Sequence, residues 1–494
     1  MSLFLQGLEN ELNKSITENG AEGYKTTGKS IVDFNFKISS YRNKSEKEIL
    51  NDFKDVWFED KELALKFLFY IRDVREGVGE RRLFRVILPE IAYQLDNRVF
   101  DWIMEYGRAD DLFVFFGTEK ERDMIAYVTN KLSEDMKNFQ DNKSISNLAK
   151  WMPSINCSSN KTKELARKFI KALGIQEKMY RKLLARLRSY ANVVETKTCR
   201  NNWKDINYSA VPSLANLKYK NAFMKHDEER YKEYLKSVEK GELKINSSVT
   251  FPHDIVHKYI RYGMYNTHAD ADATLEEMWK ALPNYVRGNS STLVVRDGSG
   301  SMTWKNLGDS NVTPLEIATA LSIYFSERCY GDFKDKFITF SSSPQLVKLN
   351  NIATLQDKLK KCYTYSDCSN TNIAATFKLV LDVAVKNNLK QEEIPNLLII
   401  SDMEFDAINS SDKLFKEIEN KFNEAGYEMP KLIFWNVCSR TNTIPLTENR
   451  QGVTLVSGFS PAIVKVVLNG ELDPYKALIK EITGERYKQV TLTV

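Results

Sequence analysis

Asp297, Ser299 and Ser301 stand at alternate positions in LVVRDGSGSM, where an apolar run ends on a carboxylate and two hydroxyls follow among glycines. Downstream, Thr371 precedes the helix-patterned NIAATFKLVLDV, and NLLIISDMEFD ends its apolar run on Asp402, with Glu404 and Asp406 just beyond. Carboxylate and hydroxyl oxygens from three separate segments are hard ligands, suited to Mg²⁺, Mn²⁺ or Ca²⁺ rather than zinc. With one or two charged ligands the ion stays electron-poor and keeps positions for water and for an incoming carboxylate or phosphate oxygen. Covalent chemistry is less well served. A phosphatase-like nucleophile at Asp297 wants a second carboxylate two residues on, where Ser299 stands. No Ser–His–Asp set, P-loop or acid/base carboxylate pair is visible, and there are four histidines, so an enzyme is not expected.

The elements that must position these residues change character along the chain. From about residue 290, short runs rich in Val, Ile, Leu and Phe (STLVVRD, KFITFSS, NLLIISD, KLIFWNV, GVTLVSGF) alternate with helical patterns such as TPLEIATALSIYFSERC. That alternation predicts a mostly parallel, doubly wound sheet, with ligands outside the carboxyl ends of its strands. From 45 to 289 the spacing is helical throughout, as in KELALKFLFYIRDVREG and QEKMYRKLLARLRSYANVV. This predicts an α-helical repeat (HEAT-like) ring or solenoid. Residues 1–44, with ENGAEGYKTTGKS, read as a loosely ordered arm, and GNSS at Gly288 to Ser291 as the junction before a 290–494 domain.

The stretch KTKELARKFIKALGIQEKMYRKLLARLR carries many cations and few acids. Its Lys168, Lys171, Lys178, Arg181, Lys182, Arg186 and Arg188 are candidate phosphate contacts, with Tyr180 or Tyr190 as a stacking ring. Phe169, Ile170, Leu183, Leu184 and Leu187 form the stripe that packs inward. RDVREGVGERR, Arg72 to Arg82, reads as structural, with Asp73 and Glu76 in internal ion pairs. Lys150 and Trp151 could face a nucleotide, although a tryptophan at a helix end is more often buried. His253 and His257 have the spacing of a metal pair but lack a third ligand, and HADADA, His268 to Ala273, reads as an acidic loop.

Composition sets the outer limits. The 494 residues exceed one ordinary core, and 42% hydrophobic with 28% charged residues are globular values. The balance of 71 basic to 66 acidic residues excludes a strongly basic chain, though not a local basic face. Six cysteines without a CxxC pair suggest a reducing, cytoplasmic setting. MSLFLQGLENELNK does not read as a signal peptide, and no run approaches the roughly 20 apolar residues of a membrane helix.

Asp297-x-Ser299-x-Ser301, then Thr371, then Asp402 resembles the metal-ion-dependent adhesion site of von Willebrand factor A domains. ALKFLFYIRDVREGVGERRLF, YGRADDL, AKWMPS, LRSYANVVE, VPSLANLKYKNAFMKHDEERYKEYL and FPHDIV, with SDMEFD, FWNV and SGFSP, resemble an uncharacterised family. Its architecture is similar to that of the TROVE/Ro autoantigen proteins, in which a ring of helical repeats is closed by a von Willebrand A domain. The resemblance spans residues 45 to 490. It implies RNA binding without catalysis: structured small RNAs on a basic outer surface and single-stranded ends in the hole of the ring. The chain departs from the adhesion-site pattern at Arg296 and Gly298. The alternative expectation is a protein-interaction or assembly module without nucleic acid, whose bound ion accepts a glutamate or aspartate from a partner.

Overall fold

In the computed structural model the chain is described at all residues except 1–2, 248, 261–270, 287–290, 305–306, 309, 367–370, 407–410, 448–450, 468–470, 472 and 493–494. Gly288 to Ser290 of the expected junction, His268 to Asp270 and Cys368 lie outside the described residues. The chain divides into two compact units: Met1–Ala64 with Glu76–Val78 and Ser247–Lys488, and Leu65–Arg75 with Gly79–Asn246 and Gln489–Val494. This division differs from 1–44, 45–289 and 290–494, chiefly because the first 64 residues belong with the sheet.

The first unit is built on strands β1 (Lys14–Ile16), β2 (Glu22–Tyr24), β3 (Thr292–Asp297), β4 (Lys336–Phe340), β5 (Leu346–Lys348), β6 (Asn396–Ser401), β7 (Leu432–Asn436) and β8 (Val453–Ser457). Six of these form one sheet in the order β5-β4-β3-β6-β7-β8, while β1 and β2 make a separate antiparallel hairpin. All neighbours in the large sheet are parallel except β5, which returns antiparallel to β4 at the edge. Every residue of β3, β7 and β8 is buried, which requires cover on both faces. The helix Pro314–Arg328 supplies some of that cover and packs on β3, β4 and β6. It starts on a Thr313/Glu316 capping box with proline in its first turn.

More cover comes from the segment expected to be a loose arm. The helix Ser30–Lys37 packs on β7 and β8 with Ile31, Val32, Phe34 and Phe36 buried. Asn35 donates to the Leu455 carbonyl at 3.2 Å, and Ser39 meets the Ser457 hydroxyl at 2.7 Å. The polar KTTGKS stretch is ordered by Asp33, which accepts from the Thr27 N–H and hydroxyl at 2.8 and 2.7 Å.

The second unit is helical among its described residues, with Arg81–Glu90, Val99–Tyr106, Glu121–Gln140, Asn160–Ala172, Glu177–Tyr190, Ser213–His226 and Glu228–Glu239 as its longer helices. Phe69 is an aromatic node, edge-on to Phe84, Trp102 and Tyr106 at 5.3–5.7 Å. Beside it lies an ionic cluster. Buried Arg72 donates to Asp111 at 2.7 Å, and Asp111 also accepts from Arg85 at 2.6 Å. Asp110 takes Arg85 and Arg108, each at 2.6 Å. Within RDVREGVGERR, Arg72 thus finds its partner in an aspartate some forty residues on, and Glu76 pairs with Lys465. Among the described residues of both units, no helix is long and apolar enough to cross a membrane.

Removing one partner from a buried pair strands the other charge, so Arg72→Ala should cost about 3–5 kcal/mol in urea unfolding of the helical unit. Burial works against the Asp110 charge, but the Arg108 and Arg85 guanidiniums overcome it and hold the carboxyl at about 2, below its ordinary 3.8. Its contribution is therefore complete above about pH 5 and is lost as pH falls toward 2. The destabilisation caused by Asp110→Asn should shrink steadily between about pH 5 and pH 2.5.

Candidate cation site and basic helical face

β3 and β6 are parallel neighbours with Arg296 opposite Ile400, so Asp297 and Ser401 emerge side by side and Asp402 follows directly. The chain passes from β4 on one side of β3 to β6 on the other. Such a reversal opens a crevice at the carboxyl ends of the strands. Asp297 is fully buried there. One of its oxygens accepts from the Ser299 N–H at 2.9 Å and the other from the Ser401 hydroxyl at 2.6 Å. Ser401 in turn accepts from the N–H of Met403, a buried residue held at φ 61°. That backbone is strained for a bulky side chain, and here it turns the loop sharply after Asp402.

The Ser299 and Ser301 hydroxyls lie 2.9 Å apart. Asp402 accepts from the Glu404 N–H at 3.3 Å through one oxygen, while its other oxygen is buried without a hydrogen-bond partner. Burial, then the charge of Asp297, push the Asp402 carboxyl up to about 7. Thr371 is buried with its hydroxyl unpartnered, and its N–H donates to Asp406. It is not the cap of the helix Ile373–Lys386; Asn372 is, accepting from the Ala375 N–H at 2.9 Å. Two mutually repelling carboxylates and two orphaned oxygens make a donor set that fits a hard dication. Among the described residues, no group of three or more His, Cys, Asp or Glu could hold a metal, so this set depends on its hydroxyls.

Four further residues shape the site: Glu404, already noted beside Asp402, and three that were not foreseen as part of it. Ser401 fixes Asp297, as described. Arg296 is fully buried and donates to the Thr319 hydroxyl (3.2 Å), the Tyr365 carbonyl (3.3 Å) and the Ser366 hydroxyl (3.0 Å). Its oddity within an apolar run was the available signal. Glu404 is also buried, and accepts from the Glu18 N–H (2.8 Å), the Ser439 hydroxyl (3.0 Å) and the N–H groups of Arg440 (2.7 Å) and Thr441 (2.9 Å). Saturated in this way, it ties two loops and the N-terminal hairpin together rather than facing an ion. Arg440 approaches Asp402 at 3.7 Å, and neither it nor Glu18 carries a local signal.

In the helical unit, residues 160–190 hold ten lysines and arginines against two glutamates. Lys168, Lys171, Lys178, Arg181, Lys182 and Arg186 are exposed, and among the described residues none of them makes an ion pair. Lys168 lies over the Phe116 ring at 5.2 Å, and Arg181 donates to the Asn156 side chain. Arg188 differs from the rest. It donates to the carbonyls of Ala149 (2.8 Å) and Met152 (2.6 Å) and to the Ser154 hydroxyl (2.7 Å), so it is committed to the fold. Tyr180 is buried and bonded to the Pro153 carbonyl, which removes it as a stacking ring. Tyr190 is half-buried, edge-on to Phe139. Of the inward stripe, Phe169, Leu184 and Leu187 are buried, while Ile170 and Leu183 are half-buried.

The other candidates have structural partners. Arg108 lies over Trp151 at 4.0 Å. His257 bonds to Glu316 at 2.9 Å, and buried His253 packs against Phe251 and Phe459.

Fold and site together define a chain that joins a helical unit to an open α/β sheet with an oxygen-lined crevice at its switch point. The chain belongs to the family of the Uncharacterized protein L728 of Acanthamoeba polyphaga mimivirus, to which it is 31% identical over 93% of its own length and 85% of that protein's. Residues 291–490 match the family described as Domain of unknown function (DUF7788), and residues 17–88 and 163–291 match Domain of unknown function (DUF2828). The second match begins just after β1, at the turn of the N-terminal hairpin, and takes in β2. The crystal structure of the Deinococcus radiodurans Ro (RSR) protein aligns with 95% of this chain and 96% of its own, at 13% identity and a TM-score of 0.36. A likeness at that level leaves fold and function to be argued from the chain's own residues.

Asp402→Asn separates the two consequences of this arrangement. It should raise the stability of chelator-treated protein at about pH 8, by about 1–3 kcal/mol, because a buried charge facing another is removed. The same variant should lose Mn²⁺ binding in a calorimetric titration.

Proposed function

We propose that the chain is a non-catalytic RNA-binding protein, whose helices Asn160–Ala172 and Glu177–Tyr190 present a phosphate-binding face and whose α/β unit carries a divalent-cation site. The observation that carries the reading is the exposed set of cations from Lys168 to Arg186, none in an ion pair among the described residues. Elsewhere in the same unit, by contrast, arginines are matched to aspartates. Cations without internal ion pairs are free to displace the counterions of a polyanion. The reading also agrees with what the resemblance to the Ro architecture implies. The described cysteines are all free, which supports a reducing, cytoplasmic setting.

In the α/β unit, Asp297, Ser299, Ser301, Thr371 and Asp402 would hold Mg²⁺, Mn²⁺ or Ca²⁺, directly or through water. The ion would supply a positive charge to a carboxylate or phosphate oxygen. The chain's own residues bury both acids, hold the Ser299 and Ser301 hydroxyls together and leave one Asp402 oxygen and the Thr371 hydroxyl without hydrogen-bond partners. A second reading is a metal-dependent protein-interaction or assembly module without nucleic acid, whose partner offers a glutamate or aspartate. The exposed Trp304 ring favours it, lying 5.7 Å from the Arg440 guanidinium beside the site.

RNA co-purification from the native host, followed by salt titration, separates the two. On the first reading, single-stranded RNA binds with an affinity that falls steeply from about 50 to 200 mM salt. The triple variant Lys171→Glu, Lys178→Glu, Lys182→Glu should weaken binding more than about tenfold and flatten the log–log salt slope by about 2. An RNA-free protein complex that dissociates with EDTA would establish the second reading instead.

A further inference from the structure

Arg440 stands between two acids of different standing. Its guanidinium pairs with Glu18, whose side chain is 52% exposed, and reaches to 3.7 Å from the buried, orphaned oxygen of Asp402. The backbone of residue 440 is fixed, because its N–H donates to Glu404 at 2.7 Å. Only the side chain is left to choose between the two carboxylates.

Glu18 is held in place with unusual care for a surface residue. Its N–H donates to Glu404 at 2.8 Å, and its neighbours Thr17 and Asn19 donate to the carbonyls of Phe405 and Glu404, each at 2.7 Å. Gly20 bridges Asp406, and Tyr24 bridges Ile444. Gly23 lies so close to the 443–444 backbone that a Cβ there would be 2.5 Å from the Ile444 carbonyl oxygen. The hairpin is thus bonded to the two loops that bear Asp402 and Arg440, and it delivers one carboxylate to one guanidinium.

We infer that Glu18 sets the cation affinity of the Asp297–Asp402 site by holding the Arg440 guanidinium off Asp402; this rests on the cation-site reading above. At 3.7 Å the guanidinium is beyond hydrogen-bond reach of Asp402 but inside the range where its charge counts. With Glu18 in place, Asp402 keeps an oxygen for a dication. Without the Glu18 charge, Arg440 can close on that oxygen and compete with the ion. An exposed ion pair adds little to stability, so the consequence lies in ion affinity rather than in folding. The hairpin then works as an in-chain regulator: any partner that engages Glu18 would release Arg440 onto the site.

Mn²⁺ titration of the chelator-treated full-length protein by calorimetry, at fixed ionic strength, tests this. Glu18→Gln should weaken Mn²⁺ binding by about 3- to 10-fold, and Arg440→Gln should tighten it by a similar factor, since close charges in a partly buried site interact by about a kilocalorie or more. In the Arg440→Gln background, Glu18→Gln should have almost no further effect. A loss of equal size in that background would show that Glu18 acts on the ion directly, and would overturn the inference. So would single variants that leave the wild-type affinity unchanged or shift it in the same direction. If the wild type itself binds no Mn²⁺, the cation-site reading falls and the inference falls with it. Unchanged melting temperatures of the metal-free variants confirm that the hairpin stays seated.

Discussion

Two carboxylates share one dry crevice, and the rest of the α/β unit is arranged around that constraint. Asp297 and Asp402 are buried at the ends of adjacent parallel strands, close enough for the charge of one to raise the carboxyl of the other. A protein interior tolerates such a pair only with compensating bonds or a cation. Ser401 and the N–H groups of Ser299 and Glu404 satisfy part of the need. The oxygens that remain, on Asp402 and Thr371, are those a hard ion would take.

The surroundings follow from holding these groups still. The parallel register brings Asp297 and Asp402 together, and the left-handed turn at Met403 swings the chain away behind them. Arg296 reaches through the core to anchor Tyr365 and Ser366, upstream of Thr371. Glu404 gathers the Ser439–Thr441 loop and the hairpin onto the same corner. An acid that resembles a ligand in the sequence thus works as a clasp, and its saturated oxygens are the reason. In the helical unit the same logic runs outward. Aspartates neutralise the buried arginines near Arg72, while the cations from Lys168 to Arg186 face solvent.

What was legible in the sequence was what depends on near neighbours or on periodicity. The strand and helix alternation after residue 290 and the DxSxS spacing are local, and Asp402 ends an apolar run that can only be a buried strand. The first 44 residues misled because their order comes from elsewhere. Asn35 finds Leu455 and Glu18 finds Glu404, partners about 400 residues away, so a polar stretch with no local pattern still becomes a clamp. Arg188 misled for a different reason. Helical spacing places it with the other cations, but the segment from Ala149 to Ser154 offers it two carbonyls and a hydroxyl, and no single-helix pattern shows that. The edge strand β5 was missed because three residues are too few to carry an alternation.

Crystals soaked in Mn²⁺, with data collected at the manganese edge, test the central claim most directly. The account predicts a single strong anomalous peak at the ends of β3 and β6, about 2.0–2.6 Å from oxygens of the Asp297, Ser299, Ser301, Thr371 and Asp402 set or one water away from the carboxylates. A map with no peak there, while those side chains remain well ordered, would contradict it.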